Sequence, residues 1–134
     1  MGNLKKVLIV DDDRDCLQLV KDYLESKGFL TITAFEGETG LAKAKQLVPD
    51  LIILDVMMPL MDGITVLQKL KQDASTEKIP VIMLTAKDRD EDVLKGYDFG
   101  AEYYITKPFD LKQLIMGVKL MLGMDSDPDR KEGV

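Results

Sequence analysis

At the ends of four short apolar runs in this 134-residue chain stand residues able to do chemistry. Asp11, Asp12 and Asp13 follow Val7–Val10, Asp55 follows Leu51–Leu54, Thr85 follows Val81–Leu84, and Lys107 falls within or just past a weaker run beginning at Tyr103. Carboxylates gathered in one place raise one another's pKa unless a cation sits among them. A hard divalent ion with oxygen ligands removes the conflict. The chain has no His and a single Cys, Cys16, so a zinc cluster, a Ser-His-Asp triad and a phosphohistidine on this chain are excluded. Mg²⁺, with Mn²⁺ as a substitute, is the metal such donors favour. A divalent ion, an ammonium and a hydroxyl together bind a tetrahedral dianion, which is phosphoryl chemistry, and one carboxylate can act as nucleophile to give an aspartyl phosphate. Each residue alone has an ordinary explanation. An Asp behind a strand is commonly a turn or cap residue, Asp13 and Asp15 read as first-turn helix acids, and a lone Lys107 is a surface lysine. Only convergence at one edge of one sheet makes them a site.

The elements that must deliver this convergence are legible in the apolar pattern. Val7–Val10, Leu51–Leu54 and Val81–Leu84 are continuous rather than alternating, as in strands buried on both faces of a parallel sheet. Leu30–Ala34 and Tyr103–Ile105 are weaker strand candidates. Between them, apolar residues recur at helical spacing: Leu17, Val20 and Leu24; Leu41, Ala44 and Leu47; Ile64, Leu67 and Leu70; Val93, Leu94 and Tyr97; and Leu111, Leu114, Ile115, Val118 and Leu122. Gly28 and Gly100 stand where helices can end, and Asp62 and Asp110 where they can begin. Strict alternation of five strands with five helices predicts an α/β, doubly wound parallel sheet in one domain over residues 1–124, with ligands beyond the carboxyl ends of the strands. Residues 125–134 are polar and without period, and read as a tail or the start of a linker.

Charge and composition narrow the partners. Eighteen Lys and Arg against 24 Asp and Glu give a net charge of −6, which disfavours nucleic acid and anionic membrane surfaces. No apolar run is long enough to span a membrane, the start lacks a signal-peptide core, and Lys6 stands where a myristoylation motif needs Ser or Thr. A cytoplasmic setting, reducing enough for a lone thiol, is expected.

Val7–Asp12, the stretch from Leu51 through Asp55, Met58, Pro59 and Met61 to Gly63, Leu84-Thr85-Ala86, and Tyr104 through Lys107, Pro108 and Phe109 together resemble the response-regulator receiver domain of two-component signalling. The order and spacing match from Leu4 to about Leu122. The resemblance implies a flavodoxin-like sheet of order 2-1-3-4-5. It implies Asp55 as phosphoacceptor, charged by a histidine kinase or histidine phosphotransfer protein. Asp12 would bind Mg²⁺ directly, Asp11 through water, Asp55 as a further ligand, and Met57 by its backbone carbonyl. Lys107 would pair with the acceptor and then with the phosphoryl oxygens. Thr85 and Tyr104 would be the switch hydroxyl and switch aromatic, and the Lys107–Pro108 bond would be cis. The output would be a changed surface on the fourth helix, fifth strand and fifth helix, read by a further domain or partner. The protein would be a regulatory domain rather than an enzyme, a monomer or a weak phosphorylation-dependent dimer.

Three departures qualify the resemblance. Tyr103 replaces the second acid before the switch aromatic, and Val93 and Gly117 stand where the winged-helix subclass carries arginines, so that subclass's charged dimer lattice is not expected. Met57 and Lys87 occupy the two variable positions thought to tune dephosphorylation, and a large Met57 would hinder an attacking water. The chief rival reading is a haloacid-dehalogenase-type aspartyl-phosphate hydrolase with Asp11 as nucleophile. Asp15 stands where that signature has Thr or Val, and the chain is short for a core with a cap. A pseudo-receiver that never turns over phosphate, and a flavin-binding module on the same fold, are further alternatives.

Overall fold

The computed structural model describes residues 4–86 and 100–124. Strands β1 (Lys6–Val10), β2 (Leu30–Ala34), β3 (Leu51–Asp55), β4 (Val81–Ala86) and β5 (Tyr103–Lys107) form one parallel sheet in the order β2-β1-β3-β4-β5. Helices α1 (Arg14–Ser26), α2 (Gly37–Leu47), α3 (Gly63–Gln72) and α4 (Leu111–Met121) accompany it. The helix expected around Val93, Leu94 and Tyr97 lies outside the described residues, as do Lys87 and the stretch 125–134.

The continuous apolar runs are the three central strands, and their alternate residues feed two cores. Leu8, Val10, Ile52, Leu54, Val81 and Met83 face α2 and α3, meeting Ala44, Val66, Leu67 and Leu70. Val7, Ile9, Leu51, Ile53, Ile82 and Leu84 face α1 and α4, meeting Leu17, Val20, Leu24, Leu114, Ile115 and Val118. Each fully buried Leu or Ile is worth about 1.5–3 kcal/mol relative to exposure, so this double layer is what fixes the sheet edge in place.

The helix starts are set by aspartates. Asp62 Oδ1 accepts from Thr65 N at 2.8 Å, and Asp110 Oδ1 from Gln113 N at 2.7 Å, as their positions predict. Asp13 corrects its expected role. It precedes α1 and accepts from Asp15 N and Cys16 N, so it is the cap rather than a first-turn acid; Asp15 alone fills the latter place. Gly28, at φ +93°, closes α1 in the left-handed region. Strand β5 runs to Lys107, two residues beyond the apolar run, which places Lys107 in register with Ala86 at the sheet's carboxyl edge.

At the opposite edge a polar clamp joins the starts of β4 and β5. Lys71 Nζ, on the last turn of α3, donates to Ile79 O at 2.8 Å and Glu77 O at 3.2 Å and pairs with Glu102 Oε2 at 3.0 Å. Glu102 Oε1 accepts from Val81 N at 2.7 Å. Among the described residues no helix is long and apolar enough to cross a membrane.

Candidate functional site

The site is built where β1, β3 and β5 end. Asp11 directly follows β1, and its N–H still donates to Ala34 O at 3.1 Å, extending the pairing with β2 by one residue. That leaves its carboxylate fully buried at the sheet edge, with Oδ1 accepting from Asp13 N at 3.0 Å and Oδ2 from Lys107 Nζ at 3.0 Å. Asp12, one residue on, is exposed. Asp55 is the last residue of β3, opposite Leu84 of β4, and is buried. Lys107 Nζ lies 3.5 Å from Asp55 Oδ1, so one ammonium spans both buried acids. One carboxylate oxygen from each of Asp11, Asp12 and Asp55 lies within 4.8 Å of the other two.

The backbone around Asp55 depends on a residue that reads in sequence as an ordinary helix start. Gly63 N donates to Val56 O at 2.9 Å, and a Cβ built on Gly63 would lie 2.2 Å from Asp55 O and 2.8 Å from Val56 Cα. Only glycine lets α3 begin against the peptide that carries the acid.

Electrostatics follow from this packing. Burial, and then the charge of Asp11, push Asp55 up to about 7 against the pull of Lys107. Burial alone would depress Lys107, but its hydrogen bond to Asp11 and the charges of Asp55 and Asp11 prevail and raise it, so it stays an ammonium. Cys16 borders the same region. Burial and the charge of Asp11 push its thiol up to about 12, which keeps it protonated and poorly nucleophilic. With all groups ionised, one ammonium against three carboxylates leaves the cluster two charges negative. Oxygen-only donors with that deficit suit a hard divalent cation.

The remaining expected residues fall around this centre. Thr85 is buried one position beyond Leu84, the strand partner of Asp55, and its hydroxyl donates to Ala86 O at 3.4 Å. Tyr104 is partly buried on β5 against the α2–α3 core, opposite Met83. Met57 lies two residues after Asp55 with its side chain exposed. The Lys107–Pro108 bond is cis. Two of the departures are one feature: Tyr103 covers Gly117, where a Cβ would lie 3.0 Å from Tyr103 Cε2. Beside the site, the Arg14 guanidinium stacks 4.2 Å from the Phe35 ring centroid, a contact between the start of α1 and the loop after β2 that no sequence motif signals.

A parallel five-stranded sheet wound in this order, with an acid cluster at its carboxyl edge, defines a receiver-type α/β domain. The family model for the response regulator receiver domain matches residues 7–119, and the chain belongs to that family. It is 44% identical over 119 residues to the DNA-binding dual master transcriptional regulator RpaA of Synechocystis sp., covering 89% of this chain and 49% of the relative. It is 44% identical over 118 residues to the alkaline phosphatase synthesis transcriptional regulatory protein PhoP of Bacillus subtilis, covering 88% of this chain and 48% of that one. The chain therefore spans about half the length of these relatives. Among solved structures, the chemotaxis protein CheY4 of Vibrio cholerae superposes with a TM-score of 0.85 at 32% identity, covering 90% of this chain and 100% of that one. The Francisella response regulator 1452 receiver domain gives 0.81 at 36% identity, covering 89% and 97%.

Proposed function

We propose that this domain is a phosphoacceptor switch in which Asp55 takes a phosphoryl group from a phosphohistidine on a partner kinase or phosphotransfer protein. The observation that carries the reading is the bridging of buried Asp11 and Asp55 by Lys107, with Asp12 beside them. Asp11, Asp12 and Asp55, with the Met57 backbone carbonyl, would hold Mg²⁺. When bound, the ion supplies positive charge that neutralises the acid cluster and the developing phosphoryl charge.

The protein's own groups do the rest. An Asp55 carboxylate oxygen forms the new O–P bond as the N–P bond of the donor breaks, and the electron pair returns to the imidazole nitrogen, which takes up a proton. Lys107 is placed to exchange its contact with the Asp55 carboxylate for the arriving phosphoryl oxygens. The aspartyl phosphate adds charge and acceptor oxygens beside Thr85. Thr85 then turns its hydroxyl from Ala86 O towards the phosphoryl group, drawing the end of β4 inward and giving Tyr104 room to move. The altered face, which includes β5 and α4, passes the state to an output domain or partner. The domain is regulatory, with no turnover beyond its own phosphorylation and dephosphorylation.

The test is labelling by a small phosphodonor such as acetyl phosphate, followed by borohydride trapping and peptide mapping. Wild type is expected to label at Asp55 in Mg²⁺ but not in chelator, and Asp55→Asn to lose the label. Label on Asp11 would establish the hydrolase reading instead, and no label on wild type would reduce the domain to a binding module.

A further inference from the structure

The loop that follows Asp55 carries a feature that phosphoryl chemistry does not use. Leu60 holds φ at 69°, and Met61 N donates to Pro59 O at 2.8 Å, closing a three-residue turn around it. Turns of this hand are rare and strained for a residue with a side chain. Leu60 recovers nothing by packing, since it is 99% exposed. Glycine or asparagine would hold the same turn with less strain and without placing an isobutyl group in water. Folding gives no reason for leucine at this position.

Beside Leu60 lies a groove of about 160 Å³, lined by Glu36, Gly37, Glu38, Pro59, Leu60 and Met61. Its walls are held close. A Cβ on Gly37 would lie 2.7 Å from Val66 Cγ2 and 2.8 Å from Met61 O, so the first turn of α2 reaches the loop only because residue 37 is glycine. One wall is apolar, formed by Pro59, Leu60 and Met61. The other brings two exposed glutamates, with Thr39 Oγ1 donating to Glu36 Oε1 at 3.1 Å. Among the described residues no basic side chain lines the groove.

We propose that this groove receives a lysine or arginine side chain from a partner protein, with the aliphatic stem against Pro59, Leu60 and Met61 and the cationic head at Glu36 and Glu38. A long cationic side chain is the chemistry that matches an apolar wall and an acidic rim together. The fully exposed Leu60 then becomes a contact for an apolar neighbour of that basic residue. None of Asp11, Asp12, Asp55 or Lys107 lines the groove, so binding there is separable from phosphorylation and independent of the role assigned to Asp55.

The probe is the peptide acetyl-Leu-Arg-Ala-Leu-amide, titrated into the ¹⁵N-labelled full chain at saturating Mg²⁺ without phosphodonor, beside its citrulline counterpart. Saturable shifts are expected at the amides of Glu36, Gly37, Glu38, Leu60 and Met61. Replacing arginine by citrulline, or combining Glu36→Gln with Glu38→Gln, is expected to weaken binding about fivefold, the size of a surface charge pair. Leu60→Gly is expected to weaken it as well while unfolding no earlier than wild type. Equal binding of arginine and citrulline, shifts centred on Asp11 and Asp12, no saturable shift, or a Leu60→Gly protein that is less stable but binds normally would each overturn the proposal.

Discussion

In the proposed function Asp55 has to be ionised to attack phosphorus, yet its surroundings favour the proton. Its carboxyl sits at about 7 in the folded protein against 3.8 ordinarily. Between those values the metal-free folded state holds a proton that the unfolded chain has released. By linkage, stability then falls as pH rises from about 4 to about 7. Denaturant unfolding in chelator is expected to show that slope in wild type, and Asp55→Asn to flatten it and be the more stable protein at pH 7. Equal slopes in the two would show that Asp55 carries no such strain. This acid was legible in sequence because a carboxylate directly after an unbroken apolar run can only lie at a sheet edge. Lys107 was legible less directly, from its place within or just past the weaker run beginning at Tyr103. The state of Cys16 was not, because its nearness to Asp11 depends on how α1 returns over β1. Nor was the turn at Leu60, since nothing in Pro59-Leu60-Met61 marks a positive φ without glycine.

Elements were read best where both faces of a strand are buried. β1, β3 and β4 announce themselves as unbroken apolar runs, whereas the edge strands β2 and β5 mix burial with exposure and give weaker signals. The polar ending Thr106-Lys107 concealed the last two residues of β5. Caps at Asp62 and Asp110 were legible because a side-chain oxygen before an apolar stripe has one obvious use. The junction of β3 with α3 was not, because a glycine after a capping aspartate looks permissive rather than obligatory. Gly63→Ala tests it. The added methyl meets backbone rather than a pliable side chain, so a loss of about 1–3 kcal/mol in unfolding free energy is expected, together with slowed labelling of Asp55. A protein of unchanged stability would show that the loop yields easily.

At the scale of the whole molecule, part of the −6 charge is gathered at Asp11, Asp12 and Asp55, so the metal site proposed there would couple ion binding to folding. An ion bound only by the folded state stabilises it by about 2.7 kcal/mol at a hundredfold excess over Kd. Calorimetry is expected to show the unfolding midpoint rising with MgCl₂ well beyond the effect of NaCl at equal ionic strength, and Asp12→Asn to remove most of the difference. A midpoint that responds equally to both salts would mean general screening rather than a site.

The clamp of Lys71 and Glu102 gives this molecule a mechanical property. It pins β4 and β5 at their starts, through Ile79 O, Glu77 O and Val81 N, while Thr85 and Lys107 stand at the opposite, carboxyl ends. A pair of strands fixed at one end and loaded at the other behaves as a cantilever. With its start held, the pair is expected to answer a pull at Thr85 by bending at the carboxyl ends, with the β4–β5 register kept.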